Sequence, residues 1–260
     1  AMTVRRTTWA FRLALLAGLF LATAAAAAND ELRAAMADEL AHAPELPRDA
    51  ILRYAETDLE QWHYVRTRIS EDGVVVDRHD PTLPGEDHWQ LVSIDGREPT
   101  DRERRNYEKD RADHSDREER ARGEELVRVL RPGSIAYVGE EGDAQRFRYA
   151  LRSPDGKRER MFAGLVGLLL FDPDPEAPWV LEVRVWYCVI LRPALGVRID
   201  EALLSFTFER QGDWVLPRGV EARWAGEFLM LRDIGSELIF KLEDFRHIEQ
   251  APPASESVAP

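Results

Sequence analysis

Apolar and polar residues alternate with a period of two along most of the chain that follows Gln61. In the first such segment, Trp62 and Tyr64 share one face with Arg66 and Arg68, and the intervening residues form the other face. The turn residues Glu71–Gly73 follow, and Val74–Arg78 resumes the extended pattern. This order predicts a β-hairpin.

The same alternation returns many times before the end of the chain. The further predicted strands are His88–Ile94, Phe147–Leu151, Arg158–Phe162, Leu165–Phe171, Leu181–Tyr187, Leu204–Phe208, Val220–Met230 and Leu238–Leu242. Each has one largely apolar face, which is typical of an antiparallel sheet with its other face in water. Roughly nine to eleven consecutive strands would curl rather than stay flat. The predicted fold class is therefore mainly β with flanking helices (α+β).

Helical patterns frame this sheet. Glu31–His42 has helical composition and spacing and is expected to end at the prolines Pro44 and Pro47. Arg48–Leu59 predicts a second short helix. The N-terminal helix and the apolar segment Leu126–Leu130 are the segments available to cover the apolar face of a curled sheet.

A strongly charged segment interrupts the β pattern. Thr100 and Glu103 form a capping box after Pro99, so a helix is expected to begin there. The residues that follow, as far as Arg122, are almost all charged and offer little apolar face. The segment, a charged helical insertion at about 100–125, is predicted to be a solvated helix with i,i+4 ion pairs or a flexible arm.

The first 28 residues have the order of a secretory signal peptide. Arg5, Arg6 and Arg12 form a positive region, and Leu13–Ala22 is an apolar core too short to span a membrane. Small residues follow, so cleavage is expected near Ala28. We therefore expect a periplasmic protein with no membrane span, one domain over residues 29–248 and a disordered tail at 249–260.

The overall charge narrows the function classes. The net charge is −13, and removal of the three arginines of the predicted signal peptide takes it to −16. Such a chain would be repelled by phosphate, which argues against nucleic acid as a partner. Cys188 is the single cysteine, so no intramolecular disulfide can form.

The stretch from Arg192 to Phe245 resembles the later strands of periplasmic proteins with the LolA/LolB-like half-barrel fold. These include lipoprotein carriers and the lipid-sensing domain of RseB-type regulators. The resemblance rests on the order of Trp214, Leu216-Pro217, Trp224–Leu231 and Phe240–Phe245. It implies an incomplete β-barrel with helices at its mouth and an apolar cavity between them. The ligand does not follow from the fold alone.

Aromatic residues on the predicted apolar strand faces are the candidates for lining such a cavity. They are Trp62, Tyr64, Tyr187, Phe206, Phe208, Trp224, Phe228 and Phe240. The alternative is that they only fill a core. The two interpretations are compatible, because core and cavity would share the same walls.

One loop carries residue types that bind metals. His79 and His88 flank it, together with the carboxylates Asp80, Glu86 and Asp87. Three or four of these would have to converge on one point to hold Zn²⁺ or Mn²⁺. The loop contains two prolines and matches no known ligand spacing, so a plain polar hairpin loop is the alternative.

No nucleophile motif such as G-x-S-x-G surrounds any serine, and no phosphate-binding loop is present. The sequence favours a non-catalytic protein without a cofactor. The first hypothesis is a periplasmic module that binds a lipid, an acyl chain or a lipidated protein. The second is a protein–protein interaction or envelope regulatory subunit, and the third is a metal-dependent enzyme that uses the His79–His88 loop.

Overall fold

The structure is a computed structural model dominated by one antiparallel β-sheet. It describes residues 36–38, 40–83, 85–118, 129–131, 133–153, 164–174, 176–187, 191–194, 197–228 and 232–248. The predicted signal peptide and cleavage site, the strand Arg158–Phe162, Cys188 and the tail lie outside these residues. Among the described helices, none is both long enough and apolar enough to cross a bilayer.

Within the part of the chain that the structure describes, eleven strands make up the sheet, so the fold is mainly β as expected. They are β1 (Trp62–Ser70), β2 (Gly73–His79), β3 (Trp89–Ile94), β4 (Ala136–Glu141), β5 (Ala144–Ala150), β6 (Leu165–Asp172), β7 (Trp179–Tyr187), β8 (Leu191–Ala194), β9 (Val197–Gln211), β10 (Trp214–Phe228) and β11 (Arg232–His247). Period-two alternation identified most of them. The short strands β4 and β8 were not predicted, and β9 begins well before Leu204.

Ten strands lie side by side in the order β3-β2-β1-β11-β10-β9-β7-β6-β5-β4, and β8 pairs with β9 beside this path. Most neighbours are consecutive in the chain, as in a meander. One exception is the pairing of β7 with β9, which passes over the short strand β8. The other is the pairing of β1 with β11, in which Trp62 lies opposite His247 and Ser70 opposite Leu238. The sheet is open, with β3 and β4 at its two edges.

Helix α1 (Glu45–Ala55) packs on the sheet against β6, β7 and β10. Pro44 precedes the helix and Pro47 lies inside its first turn, so Pro47 does not end a helix, contrary to expectation. A proline is tolerated there because the first backbone N–H groups of a helix have no intrahelical partner. Ahead of α1, residues 36–38 are helical, and Met36 and Leu40 are buried in the same core.

Helix α2 (Asp101–Glu118) begins at the predicted capping box. The Thr100 backbone N–H donates to Glu103 Oε2 over 2.8 Å, and the Glu103 N–H donates to Thr100 Oγ1 over 3.4 Å. The guanidinium of Arg97 also donates to both Glu103 oxygens, at 2.9 and 2.6 Å. The start of the charged helix is thus attached to the turn that follows β3.

Strand register places the main apolar cluster in cross-strand rows on the face that α1 covers. One row crosses six neighbouring strands through Phe147, Leu169, Val183, Phe206, Val220 and Phe240. The next row consists of Tyr149, Gly167, Val185, Leu204, Ala222 and Leu238. Such rows stabilise a sheet because opposite side chains are in contact.

The opposite face of β5–β7 is also partly apolar, which the alternation did not predict. Ala144, Leu168 and Leu170 are buried there, with Leu181 packed against them. The register between β6 and β7 shifts at Leu170/Phe171. A bulge of this kind changes the face on which the following residues lie, so Val180 rather than Leu181 belongs to the main core.

Candidate functional site

The apolar face of the sheet extends beyond the part that α1 covers. Val183, Phe206 and Val220, in the middle of the first row, are almost completely buried. Val185, Leu204, Leu238 and Phe240, farther along the strands or nearer to β11, are only partly buried. Burial therefore decreases across one continuous apolar surface.

The aromatic residues predicted to line a cavity fall into two adjacent clusters on the sheet. Phe206 and Phe208 belong to the main cluster, where Tyr54 of α1 packs edge-on against Phe208 at 4.8 Å between ring centroids. Trp62 and Tyr64 belong to a second cluster with Leu242, Phe245 and other apolar residues. Phe240 packs against both clusters, so it marks their boundary.

Three candidates lie near the far ends of the long strands. Trp224 is partly exposed and lies opposite Ala202 on β9 and Ser236 on β11. The backbones of Tyr187 and Phe228 belong to β7 and β10, and their side chains lie outside what the structure describes. The structure therefore joins Trp62, Tyr64, Phe206, Phe208 and Phe240 into one surface, and Trp224 lies farther along the strand that carries Val220 and Ala222.

A buried ion pair lies on the sheet next to the second cluster. The Arg66 guanidinium donates to both oxygens of Asp77, with Nε–Oδ1 at 2.9 Å and Nη2–Oδ2 at 2.7 Å. Arg66 on β1 and Asp77 on β2 are register partners, so the hairpin itself brings them together. Bidentate pairs of this kind are among the stronger hydrogen-bonded contacts in proteins.

Helix α2 is attached to this ion pair. The Tyr107 hydroxyl donates to Asp77 Oδ2 over 2.9 Å. The Arg111 guanidinium lies 4.5 Å from the centre of the Trp89 ring, and the Arg66 guanidinium lies 4.1 Å from the same ring. Burial first, and then the charge of Asp77, raises the pKa of Tyr107 above its usual range. The charged helix is therefore neither wholly solvated nor a free arm, because a few of its side chains contact the sheet.

Beside these residues, three potential metal ligands converge. One donor atom from each of Glu60, His79 and His88 lies within 4.8 Å of the other two. Glu60 Oε2 is 3.6 Å from His79 Nε2 and 3.7 Å from His88 Nδ1. Glu60 belongs to the 3-10 turn Leu59–Gln61 before β1, His79 ends β2, and His88 ends the 3-10 turn Gly85–His88 before β3.

Packing and hydrogen bonding fix the orientation of His79. Its side chain is only 1% exposed and packs against the rings of Tyr64 and Trp89, at 4.9 and 5.0 Å between centroids. Those two rings also contact each other, at 5.6 Å. Its Nδ1 is 2.9 Å from the Trp62 carbonyl oxygen. A carbonyl oxygen only accepts hydrogen bonds, so Nδ1 carries a proton, and in the neutral ring Nε2 presents its lone pair toward Glu60.

The structure therefore brings His79 and His88 together, as the sequence hypothesis required, but with a different carboxylate. Asp80 accepts hydrogen bonds from the Thr82 backbone N–H and hydroxyl and lies 3.2 Å from His63 Nδ1. Although burial opposes it, the Thr82 hydrogen bonds hold the pKa of Asp80 below its usual value. Asp87 is exposed, and the side chain of Glu86 lies outside the described residues.

Sequence reasoning missed Glu60 because it is far from the loop in the chain. The hairpin register offered an indirect signal, since Tyr64 pairs with His79. Residues just before β1 must therefore lie beside the end of β2.

Comparison with known proteins provides no relative for this site. No family model, curated protein or solved structure matches the chain. Its function is therefore argued from its own geometry.

Proposed function

We propose that this protein is a periplasmic binding module of the LolA/LolB-like half-barrel type. In this proposal the open sheet curls around a hydrophobic ligand, and the helices cover part of the same face. The ligand class is a lipid, an acyl chain or the lipid group of a lipidated protein. No catalytic group is required, because binding would rest on burial of apolar surface.

The observation that carries the proposal is the gradient of burial along the two cross-strand rows. Apolar side chains continue past α1 to Leu204, Leu238 and Phe240, which keep part of their surface exposed. Apolar side chains that stay in contact with water do not stabilise a folded monomer. A contiguous apolar surface of this kind is typical of a ligand or partner site.

The free energy of moving an acyl chain from water into such an apolar site is large enough for useful affinity. Each CH₂ group moved from water into an apolar site contributes about 0.8 kcal/mol. Association and ordering oppose binding by several kcal/mol, so a chain of roughly ten or more buried carbons is needed for firm retention. A ligand of acyl-chain length meets this requirement.

The first test is native mass spectrometry of protein purified from periplasm, followed by extraction and identification of bound molecules. The proposal expects a co-purifying lipid or acyl species. The same protein, after delipidation, is then titrated with a fluorescent fatty acid. A ligand-free mass together with no saturable fatty-acid binding would overturn the proposal.

Trp224 is the residue on which the site assignment can be tested directly. We expect Trp224→Arg to abolish uptake of the fluorescent fatty acid, because it places a charge in the apolar surface. Arg223→Ala is the matched control, since the adjacent strand residue is exposed and points to the other side of the sheet. Normal uptake by a folded Trp224→Arg protein would show that the apolar site lies elsewhere.

A second candidate function, binding of another protein, is favoured by one observation at the edge of the sheet. Edge strand β4 exposes two large apolar side chains, Tyr137 at 53% and Val138 at 47%. Exposed edge strands pair readily with a strand of another protein. If native mass spectra are ligand-free and a Val138→Lys variant loses a partner that the unmodified protein captures, this second function replaces the first.

A further inference from the structure

A second site, independent of the proposed apolar ligand, is formed by the convergence of Glu60, His79 and His88. We infer that these three residues bind one divalent transition-metal ion, with Zn²⁺ as the preferred occupant. The ligand atoms are His79 Nε2, His88 Nδ1 and Glu60 Oε2, which lie within 4.8 Å of one another.

The two separations from the Glu60 oxygen are longer than hydrogen bonds and close to those between ligands of one ion. Glu60 Oε2 is 3.6 Å from His79 Nε2 and 3.7 Å from His88 Nδ1. A charge-assisted N–H···O bond would shorten to about 2.7–2.9 Å. Two ligands bound to tetrahedral Zn²⁺ at about 2.0–2.1 Å are roughly 3.3 Å apart. The Glu60 oxygen therefore needs only a small inward movement, and the two imidazole nitrogens, within 4.8 Å of each other, must also approach.

His79 is already oriented as metal-binding histidines usually are. Its Nδ1–H donates to the Trp62 carbonyl oxygen over 2.9 Å. A bond from the second ring nitrogen to a backbone carbonyl selects the tautomer in which the first nitrogen can coordinate. The imidazole also packs against the rings of Tyr64 and Trp89, so little ordering of this ligand is needed on binding.

The separation between His79 Nε2 and Glu60 Oε2 is 3.6 Å, longer than a direct hydrogen bond, although the His79 side chain is only 1% exposed. A metal ion between the two groups explains both the burial and the gap.

Ligand chemistry selects the class of ion. Two imidazole nitrogens with one carboxylate oxygen suit Zn²⁺ and its neighbours in the first transition row. Ca²⁺ and Mg²⁺ bind almost entirely to oxygen, so they are expected to compete poorly. Three protein ligands leave a coordination position for water or an external ligand, as in zinc sites with an open position.

The position of the ligands gives the site a structural consequence. Glu60 precedes β1, whereas His79 and His88 enclose the connection from β2 to β3. A bound ion would therefore join the start of the first strand to this connection at the β3 edge of the sheet. We expect metal binding to raise the thermal stability of the protein by mass action.

The test is isothermal titration of the full chain with ZnCl₂ in the presence of about 10 mM Mg²⁺, roughly tenfold above the dissociation constants of weak carboxylate sites. One saturable Zn²⁺ site per chain is expected. His88→Gln and Glu60→Gln should each weaken its affinity by at least about tenfold, as is usual when the coordination sphere is disturbed. Absence of a saturable site that survives Mg²⁺ would overturn the inference.

His63→Gln is the matched control. His63 is 31% exposed and His88 is 29% exposed, and both lie in the same part of the sheet, but His63 contacts Asp80 instead of Glu60. The control should bind Zn²⁺ normally. Equal losses in the His63 and His88 variants would also overturn the assignment, because the binding would then be non-specific.

Co²⁺ substitution provides a readout of geometry that does not depend on stability. A four- or five-coordinate site with imidazole ligands gives an intense visible absorption, whereas Co²⁺ on surface carboxylates is octahedral and pale. We expect the intense spectrum in the unmodified protein and in His63→Gln, and its loss in His88→Gln. A pale spectrum in the unmodified protein would argue against the site even if Zn²⁺ bound weakly.

Discussion

Arg66 and Asp77 form a bidentate ion pair across the β1–β2 hairpin, and their side chains are only 11% and 6% exposed. The pair does not stand alone. Tyr107 of α2 donates to Asp77, and the Arg66 guanidinium lies over Trp89. One polar contact therefore connects the hairpin, the edge strand and the charged helix.

Replacing one partner should show how much this pair contributes to the free energy of unfolding. Asp77→Asn leaves the Arg66 charge buried without its compensating carboxylate, so we expect the free energy of unfolding to fall by about 3 kcal/mol. Urea unfolding followed by circular dichroism measures the loss. Asp72→Asn, in the exposed turn of the same hairpin, should change stability by less than about 0.5 kcal/mol. A loss in Asp77→Asn no larger than in this control would contradict the prediction.

Tyr107→Phe tests whether the charged helix is held on the sheet. The variant loses one hydrogen bond to a carboxylate, and we expect a cost of about 1.5 kcal/mol at neutral pH. A double-mutant cycle with Asp77→Asn should show coupling, because the two residues share that bond. Additive effects of the two substitutions would mean that α2 is not attached through Tyr107.

The burial of Tyr107 also predicts that the stability of the protein depends on pH in the alkaline range. Burial raises the pKa of Tyr107 in the folded protein above its unfolded value of about 10. Above that pH the unfolded chain loses the proton first, so stability is lost as pH rises toward the folded pKa. The stability advantage over Tyr107→Phe should therefore shrink above about pH 10, as measured by urea unfolding at several pH values. An advantage that stays constant over this range would contradict the burial of the phenol.

The contacts of Glu103 at the start of α2 predict the opposite effect, a loss of stability as the pH falls into the acid range. Hydrogen bonds from Arg97, and then from Thr100, hold the pKa of Glu103 well below its usual value. Its contribution to stability is present above the unfolded pKa and is lost as pH falls through the folded pKa. The difference in melting temperature between the unmodified protein and Glu103→Gln should therefore be largest near neutrality and decrease below about pH 4.

Glu108→Gln is the control for this measurement, because Glu108 lies exposed on the same helix. Its melting temperature should follow that of the unmodified protein across the range. If Glu103→Gln behaves in the same way, the contacts of Glu103 do not contribute to the folded state.

Gly167 leaves space for a buried aromatic ring on the neighbouring strand. It lies opposite Tyr149 across β5 and β6, and a Cβ at position 167 would overlap the Tyr149 ring. Tyr149 is 2% exposed, so displacing the ring would disturb the buried core around it. We expect Gly167→Ala to reduce the free energy of unfolding by about 2–3 kcal/mol through overpacking. Denaturant unfolding measures the effect. Gly142→Ala cannot serve as the control, because Gly142 has a φ of +61° and an alanine there would be strained by its backbone conformation instead.

The combination Gly167→Ala with Tyr149→Leu provides the control instead. Removal of the ring frees the space that the new methyl group occupies, so the double variant should not show the sum of the two single losses. If the losses simply add, the ring is not what excludes a side chain at position 167.

Local patterns were sufficient for most of the elements. Period-two alternation indicated β1, β2 and the long strands around Phe206, Val220 and Phe240, because alternation reports which side of a strand faces the core. The Thr100 and Glu103 spacing located the start of α2, because a capping box is satisfied within one turn. The short edge strand β4 escaped prediction, since an almost wholly exposed strand has no apolar side to reveal it.

Tertiary structure decided which distant residues meet. The pairing of β1 with β11, the attachment of Tyr107 to Asp77 and the arrival of Glu60 beside His79 and His88 all depend on strand register and on how turns approach each other. No repeating pattern in the sequence indicates these contacts, because each is formed by residues far apart in the chain. The sequence by itself determined the β-rich class, the β1–β2 hairpin and the start of the charged helix. The assembled sheet alone decided where its polar groups and the three potential metal ligands converge.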